Sequence, residues 1–84
     1  MQVNTQFTGS VPAGASKTWF SHSWKPESHV LWSVVPVSPA PGAPQIEWTV
    51  KVQRASETAL TYYVTVKNLS AAAVDIEARY AIMN

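Results

Sequence analysis

Apolar and polar side chains alternate one by one along almost the whole chain, and a period of two is the spacing of a β-strand with one wet face. Ile46, Trp48, Val50 and Val52 interleave with Glu47, Thr49, Lys51 and Gln53. Leu60, Tyr62, Val64 and Val66 interleave with Thr61, Tyr63, Thr65 and Lys67, and Val74, Ile76, Ala78, Tyr80 and Ile82 with Asp75, Glu77, Arg79, Ala81 and Met83. Near the start, Val3, Phe7 and Val11 alternate with Gln2, Asn4, Gln6, Thr8 and Ser10. Helical spacing is absent.

Proline and glycine punctuate these runs. Val11-Pro12-Ala13-Gly14 carries Pro and Gly at the second and fourth positions of a type I turn, and Lys25-Pro26-Glu27-Ser28 is a second Pro-led turn, short enough to close a hairpin. Between them, Lys17 to Trp24 sets Thr18, Phe20, His22 and Trp24 on one face and Trp19, Ser21 and Ser23 on the other. Val30 to Val37 is apolar on both faces apart from Ser33, the pattern of a central strand covered on both sides, with Pro36 at its end or at a bulge. Pro39 to Pro44 reads as a stiff crossing loop, while Ala55–Ala59 and Asn68–Ala73 have hairpin lengths.

Six such strands cannot bury their apolar sides in one open sheet. The expectation is a single all-β domain over residues 1–84, a six-stranded antiparallel β-sandwich. The stretch from Tyr62 to Asn68, a short polar loop and Val74 to Ile82 resembles the closing hairpin of immunoglobulin-like sandwiches, a likeness of general character, since the Cys and Trp spacing of immunoglobulin domains is missing.

Composition then narrows function. The 84 residues hold no cysteine, six Lys/Arg and five Asp/Glu, so charged residues are 13% of the chain, about half the usual share. Thiolate metal sites and disulfide frameworks are excluded, and the scattered cations form no stripe for nucleic acid. Lack of cysteine suits reducing and oxidising compartments alike. The first six residues carry neither a basic n-region nor an apolar h-region of a secretory leader. The uncharged window from Ser28 to Ile46 contains Pro36, Pro39, Pro41 and Pro44, too many for a membrane-spanning helix.

No catalytic constellation stands out. His22 and His29 are the only histidines and Asp75 the only aspartate, and Gly9, Gly14 and Gly42 build no phosphate loop. Glu47 and Glu77 could form a carboxylate pair across strands, but outward charges opposite Lys51 and Arg79 are the simpler reading. A hairpin at Pro26-Glu27 would bring His22 and His29 together, yet no third ligand completes a metal site. An enzyme, a metal and a cofactor are therefore not expected. Asn68-Leu69-Ser70 matches a glycosylation sequon and reads as a turn asparagine.

Four tryptophans in 84 residues are the least ordinary feature. Trp48 and Trp32 read as core. Trp19 and Trp24 fall on opposite faces of one strand, so in an unbroken register one of them must look outward. Trp24 stands before the Lys25 turn with His22 and His29 around it, and Tyr63 lies on a polar face between Thr61 and Thr65. Exposed rings among neutral hydroxyls suit a sugar, whose apolar face stacks while its hydroxyls find donors and acceptors. The expected function is thus a non-catalytic, lectin-like module for a neutral glycan, with Trp19, His22, Trp24, Lys25, His29 and Tyr63 as ligand-binding residues. The alternative is an assembly protein whose low-charge aromatic surface makes contacts between copies or with other proteins.

Overall fold

The computed structural model describes residues 2–37 and 41–84. Six strands follow one another: β1 (Gln2–Val11), β2 (Ser16–Trp24), β3 (Val30–Pro36), β4 (Ile46–Ser56), β5 (Ala59–Asn68) and β6 (Val74–Ile82). They form two three-stranded sheets, β1-β6-β3 and β2-β5-β4, in which every pairing is antiparallel. No helix among the described residues is long and apolar enough to cross a membrane.

The alternation explains the core. Val11, Val34, Val64, Val66, Val74, Ile76 and Ala78 are buried in one cluster between the sheets, with Phe7, Trp19, Trp32, Ile46 and Val50 packed against it. Five of those seven are valines, whose branched Cβ suits a pleated surface. β5 and β6 are the central strands, and all the buried residues but Val11, Ser21 and Val34 lie on them. Neighbours on both sides bury even the outward Thr61 of β5.

Among the described residues, only β4 and β5 form a hairpin, through Glu57-Thr58 between the paired Ser56 and Ala59. Every other connection passes from one sheet to the other. The turn at Lys25–Ser28 exists, with Ser28 N donating to Lys25 O at 3.1 Å, but it is a corner between sheets and not a hairpin. Likewise β5 and β6 do not pair, so the closing hairpin that suggested an immunoglobulin-like character is not formed. The first turn lies one residue later than expected: Ala15 N donates to Pro12 O at 3.1 Å and Gly14 takes φ 68°. Glycine occupies that left-handed position without the Cβ clash other residues meet.

Two further expectations are corrected. Val30–Val37 is not central, because β3 is an edge strand that leaves Leu31 59% exposed. Trp48 is not core, because β4 is also an edge strand and Trp48 stays 36% exposed. The Pro39–Pro44 loop lies partly outside the described residues; Pro41–Pro44 is exposed and irregular.

Asn68 ends β5 as a fully buried polar knot. Its Nδ2 donates to Val11 O at 2.9 Å and to Ala72 O at 2.7 Å, while Oδ1 accepts from Ser70 N at 2.8 Å and Ser70 Oγ at 2.7 Å. It is the turn asparagine expected from sequence, and it ties the end of β1 to the loop that crosses between sheets.

Candidate functional site

A β-bulge in β2 decides which aromatic rings face solvent. Ser21 pairs with Tyr62, but the next pair is Trp24 with Leu60, so β2 has one residue more than β5 in this interval. Ser23 absorbs the excess at φ 68°, a conformation uncommon for a residue with a Cβ. An extra residue reverses the facing of everything beyond it. Trp24 therefore turns inward, onto the same side as Trp19, and the expectation that one of the two must look outward fails.

Trp19 stacks on Phe7 at 4.9 Å between ring centroids. Trp24 packs edge-on against Trp32, Tyr62 and Tyr80, at 5.6, 5.9 and 5.1 Å. Its Nε1 donates to Ser21 Oγ at 2.9 Å, and Gln6 Nε2 donates to the same oxygen at 3.0 Å. Trp32 Nε1 is buried among these rings without a hydrogen-bond partner. This cluster fills one end of the sandwich and forms part of its interior.

What faces solvent is the outer side of the β2-β5-β4 sheet. Antiparallel register lines up Phe20, Tyr63 and Lys51 in one row across the three strands, and Thr18, Thr65 and Thr49 in the next. Phe20 is 66% exposed. Its ring lies 6.2 Å from His22 and 6.3 Å from Tyr63, tilted by 29° and 38°. Tyr63 OH donates to Gln53 Oε1 at 2.6 Å, and the Thr18 and Thr65 hydroxyls are 2.8 Å apart. His22 Nδ1 is 2.9 Å from Ser23 Oγ. The result is a flat platform of three rings bordered by hydroxyls, an amide and one ammonium.

Of the residues singled out from sequence, His22 and Tyr63 meet on this platform. Trp19 and Trp24 lie inside the sandwich. Lys25 and His29 sit at the corner leading into β3, in the other sheet; His29 N donates to Asn84 Oδ1 at 2.8 Å. The anticipated His22–His29 pairing across a hairpin does not form, because β2 pairs with β5 and β3 with β6. Glu47 and Glu77 lie on the outer faces of different sheets, and Glu77 is engaged by Arg79 Nε at 2.5 Å. Among the described residues, no three His, Asp or Glu side chains gather into a metal-binding group.

Sequence reasoning missed Phe20 as a surface residue. The signal was present, since Phe20 shares its alternation phase with Thr18 and His22, a face without other apolar side chains before the bulge.

A second exposed feature lies on the outer face of the β1-β6-β3 sheet. Val3 and Leu31, 65% and 59% exposed, flank Ala81 and wall a shallow groove of about 330 Å³ that reaches Ser33 and Arg79. No family model matches the chain, and neither a curated protein nor a solved structure is significantly similar to it.

Proposed function

We propose that the chain is a non-catalytic binding module that takes a neutral glycan on the outer face of the β2-β5-β4 sheet. The observation that carries this reading is Phe20, a large apolar ring 66% exposed beside Tyr63 and His22. Burying a phenylalanine is worth about 1.5–3 kcal/mol, so a ring left in water is a place where a ligand gains from contact. The apolar face of a pyranose fits such a ring. The Thr18, Thr49 and Thr65 hydroxyls and the Gln53 amide offer donors and acceptors of the kind sugar hydroxyls need. A flat platform encloses no small molecule, which favours an extended polysaccharide contacted along one side.

Affinity electrophoresis through gels containing soluble neutral polysaccharides tests this. Retardation in at least one of them is expected, and Phe20→Ala and Tyr63→Ala should each abolish it while the melting temperature barely changes. Uniform mobility across β-glucans, xylans and mannans would reject the reading, as would unaltered retardation of Phe20→Ala.

A second reading, an assembly protein, draws on the apolar row of Val3, Ala81 and Leu31 on the opposite face. Val3→Ser and Leu31→Ser together should then reduce self-association seen by light scattering, without affecting retardation by glycans.

A further inference from the structure

We propose that two copies of this chain pair antiparallel through the free edge of β4, with the two-fold axis passing beside Thr49. Each sheet has two open edges, and three of the four edge strands carry features that obstruct a further strand. β1 is bulged between Thr5 and Phe7, β2 is bulged between Ser21 and Trp24, and β3 ends in Pro36, which has no amide proton to donate. β4 differs. From Ile46 to Arg54 it pairs with β5 without interruption, contains no proline, and is bulged only at its far end.

The residue order along β4 is complementary to itself. In an antiparallel two-fold pair, residues whose numbers share one constant sum stand opposite each other. Centring the axis on Thr49 sets Thr49 against Thr49, Glu47 against Lys51 twice, Trp48 against Val50 twice, and Ile46 against Val52 twice. Both ion pairs fall on the solvent face of the sheet. All the apolar pairs fall on the other face, where Trp48 and Val52 are now 36% and 58% exposed. Regular antiparallel pairing moves in steps of one residue at the axis, because donors must meet acceptors. Moving the axis to Trp48 or Val50 breaks both ion pairs. Moving it to Glu47 or Lys51 sets like charges opposite each other, which is destabilising. One register alone satisfies charge and hydropathy together.

The occupant is therefore a second copy, and the contact is isologous and closes at two. It would join the sheets into one of six strands, β2-β5-β4-β4-β5-β2, with both ring platforms on the same face. At the usual strand spacing the two Tyr63 rows stand about 15 Å apart. The dimer does not depend on the glycan reading: Phe20→Ala should leave it intact, and Glu47→Lys should dissociate it.

The chain has no cysteine, so single thiols report the register. At the axis, opposed Cα atoms lie about 4.5–5.5 Å apart, within reach of a disulfide. Residues 47 and 47 of the two copies lie four positions out of register, about 13 Å apart along the strand and beyond disulfide reach. With mild oxidant, Thr49→Cys should form covalent dimer at least tenfold faster than Glu47→Cys or Lys51→Cys. By light scattering, Glu47→Lys and Lys51→Glu should each be monomeric, and their equimolar mixture should dimerise, which excludes misfolding as the cause of the monomer. A wild-type monomer at millimolar concentration overturns the proposal. So does equal crosslinking at all three positions, or a dimer unaffected by both charge reversals.

Discussion

Gly9 and Trp19 meet between the sheets with no room for a side-chain carbon: a Cβ on Gly9 would lie 2.6 Å from Trp19 Cζ2. The indole is also held by stacking on Phe7, two residues before Gly9 on the same strand, at 4.9 Å, so moving it away from Gly9 disturbs that stack. Gly9→Ala should therefore destabilise the fold by about 1–3 kcal/mol through overpacking. For a domain of this size that is a fall in melting temperature of roughly 5–20 °C, readable by calorimetry.

The bulge that turns Trp24 inward rests on the positive φ of Ser23. Ser23→Gly should hold stability within about 1 kcal/mol of the wild type, because glycine accepts this conformation freely. Ser23→Val should cost about 1–3 kcal/mol, since a branched Cβ is strained there. Chemical denaturation of the two variants would show the split; equal stability would place the bulge elsewhere.

Asn68 is buried with both its amide nitrogen and its oxygen engaged. Asn68→Ala strands the buried carbonyl of Val11 and the half-buried amide of Ser70, while Ala72 O keeps the Ser70 hydroxyl as a donor, and buried polar groups without partners cost about 1–3 kcal/mol each. A loss of at least 2 kcal/mol is expected. Asn68→Asp should fare no better, because an ionised carboxylate cannot donate to either carbonyl. The same burial predicts that Asn68 in the folded chain is closed to a glycosyltransferase, although it heads an Asn-Leu-Ser sequon; mass spectrometry of the chain after exposure to such an enzyme checks this.

The aromatic residues should divide cleanly between two roles. Trp24→Ala removes a ring packed against Trp32, Tyr62 and Tyr80 and should cost about 3–5 kcal/mol, with loss of near-ultraviolet circular dichroism. Phe20→Ser, on the outer face, should change stability by less than about 1 kcal/mol and act only on ligand binding.

Strand positions were legible because a half-buried strand writes its period into the sequence: β4, β5 and β6 lie close to where alternation puts them. Partners were not legible. The five residues after Asn68 are as long as a hairpin loop and instead cross between sheets, since loop length does not record which strand comes next to which. Val30–Val37 looked doubly covered because Leu31 and Val35 are apolar, yet β3 is an edge and Leu31 is exposed. Hydropathy states what a residue gains from burial and leaves open whether a neighbour is there to bury it. The site was half legible for a related reason. His22 and Tyr63 precede or avoid the bulge and keep their expected facing, whereas Trp24 follows an extra serine that bears no compositional mark.

In the glycan-binding function proposed for this chain, the solvent-facing rings Phe20, His22 and Tyr63, and not the tryptophans, meet the ligand. The most direct test of this is residue-resolved NMR during titration with a neutral polysaccharide that retards the chain in gels. Saturable shift changes confined to Thr18, Phe20, His22, Lys51, Gln53 and Tyr63 are predicted. Changes centred on Trp24, Lys25 and His29, with that platform silent, would contradict it.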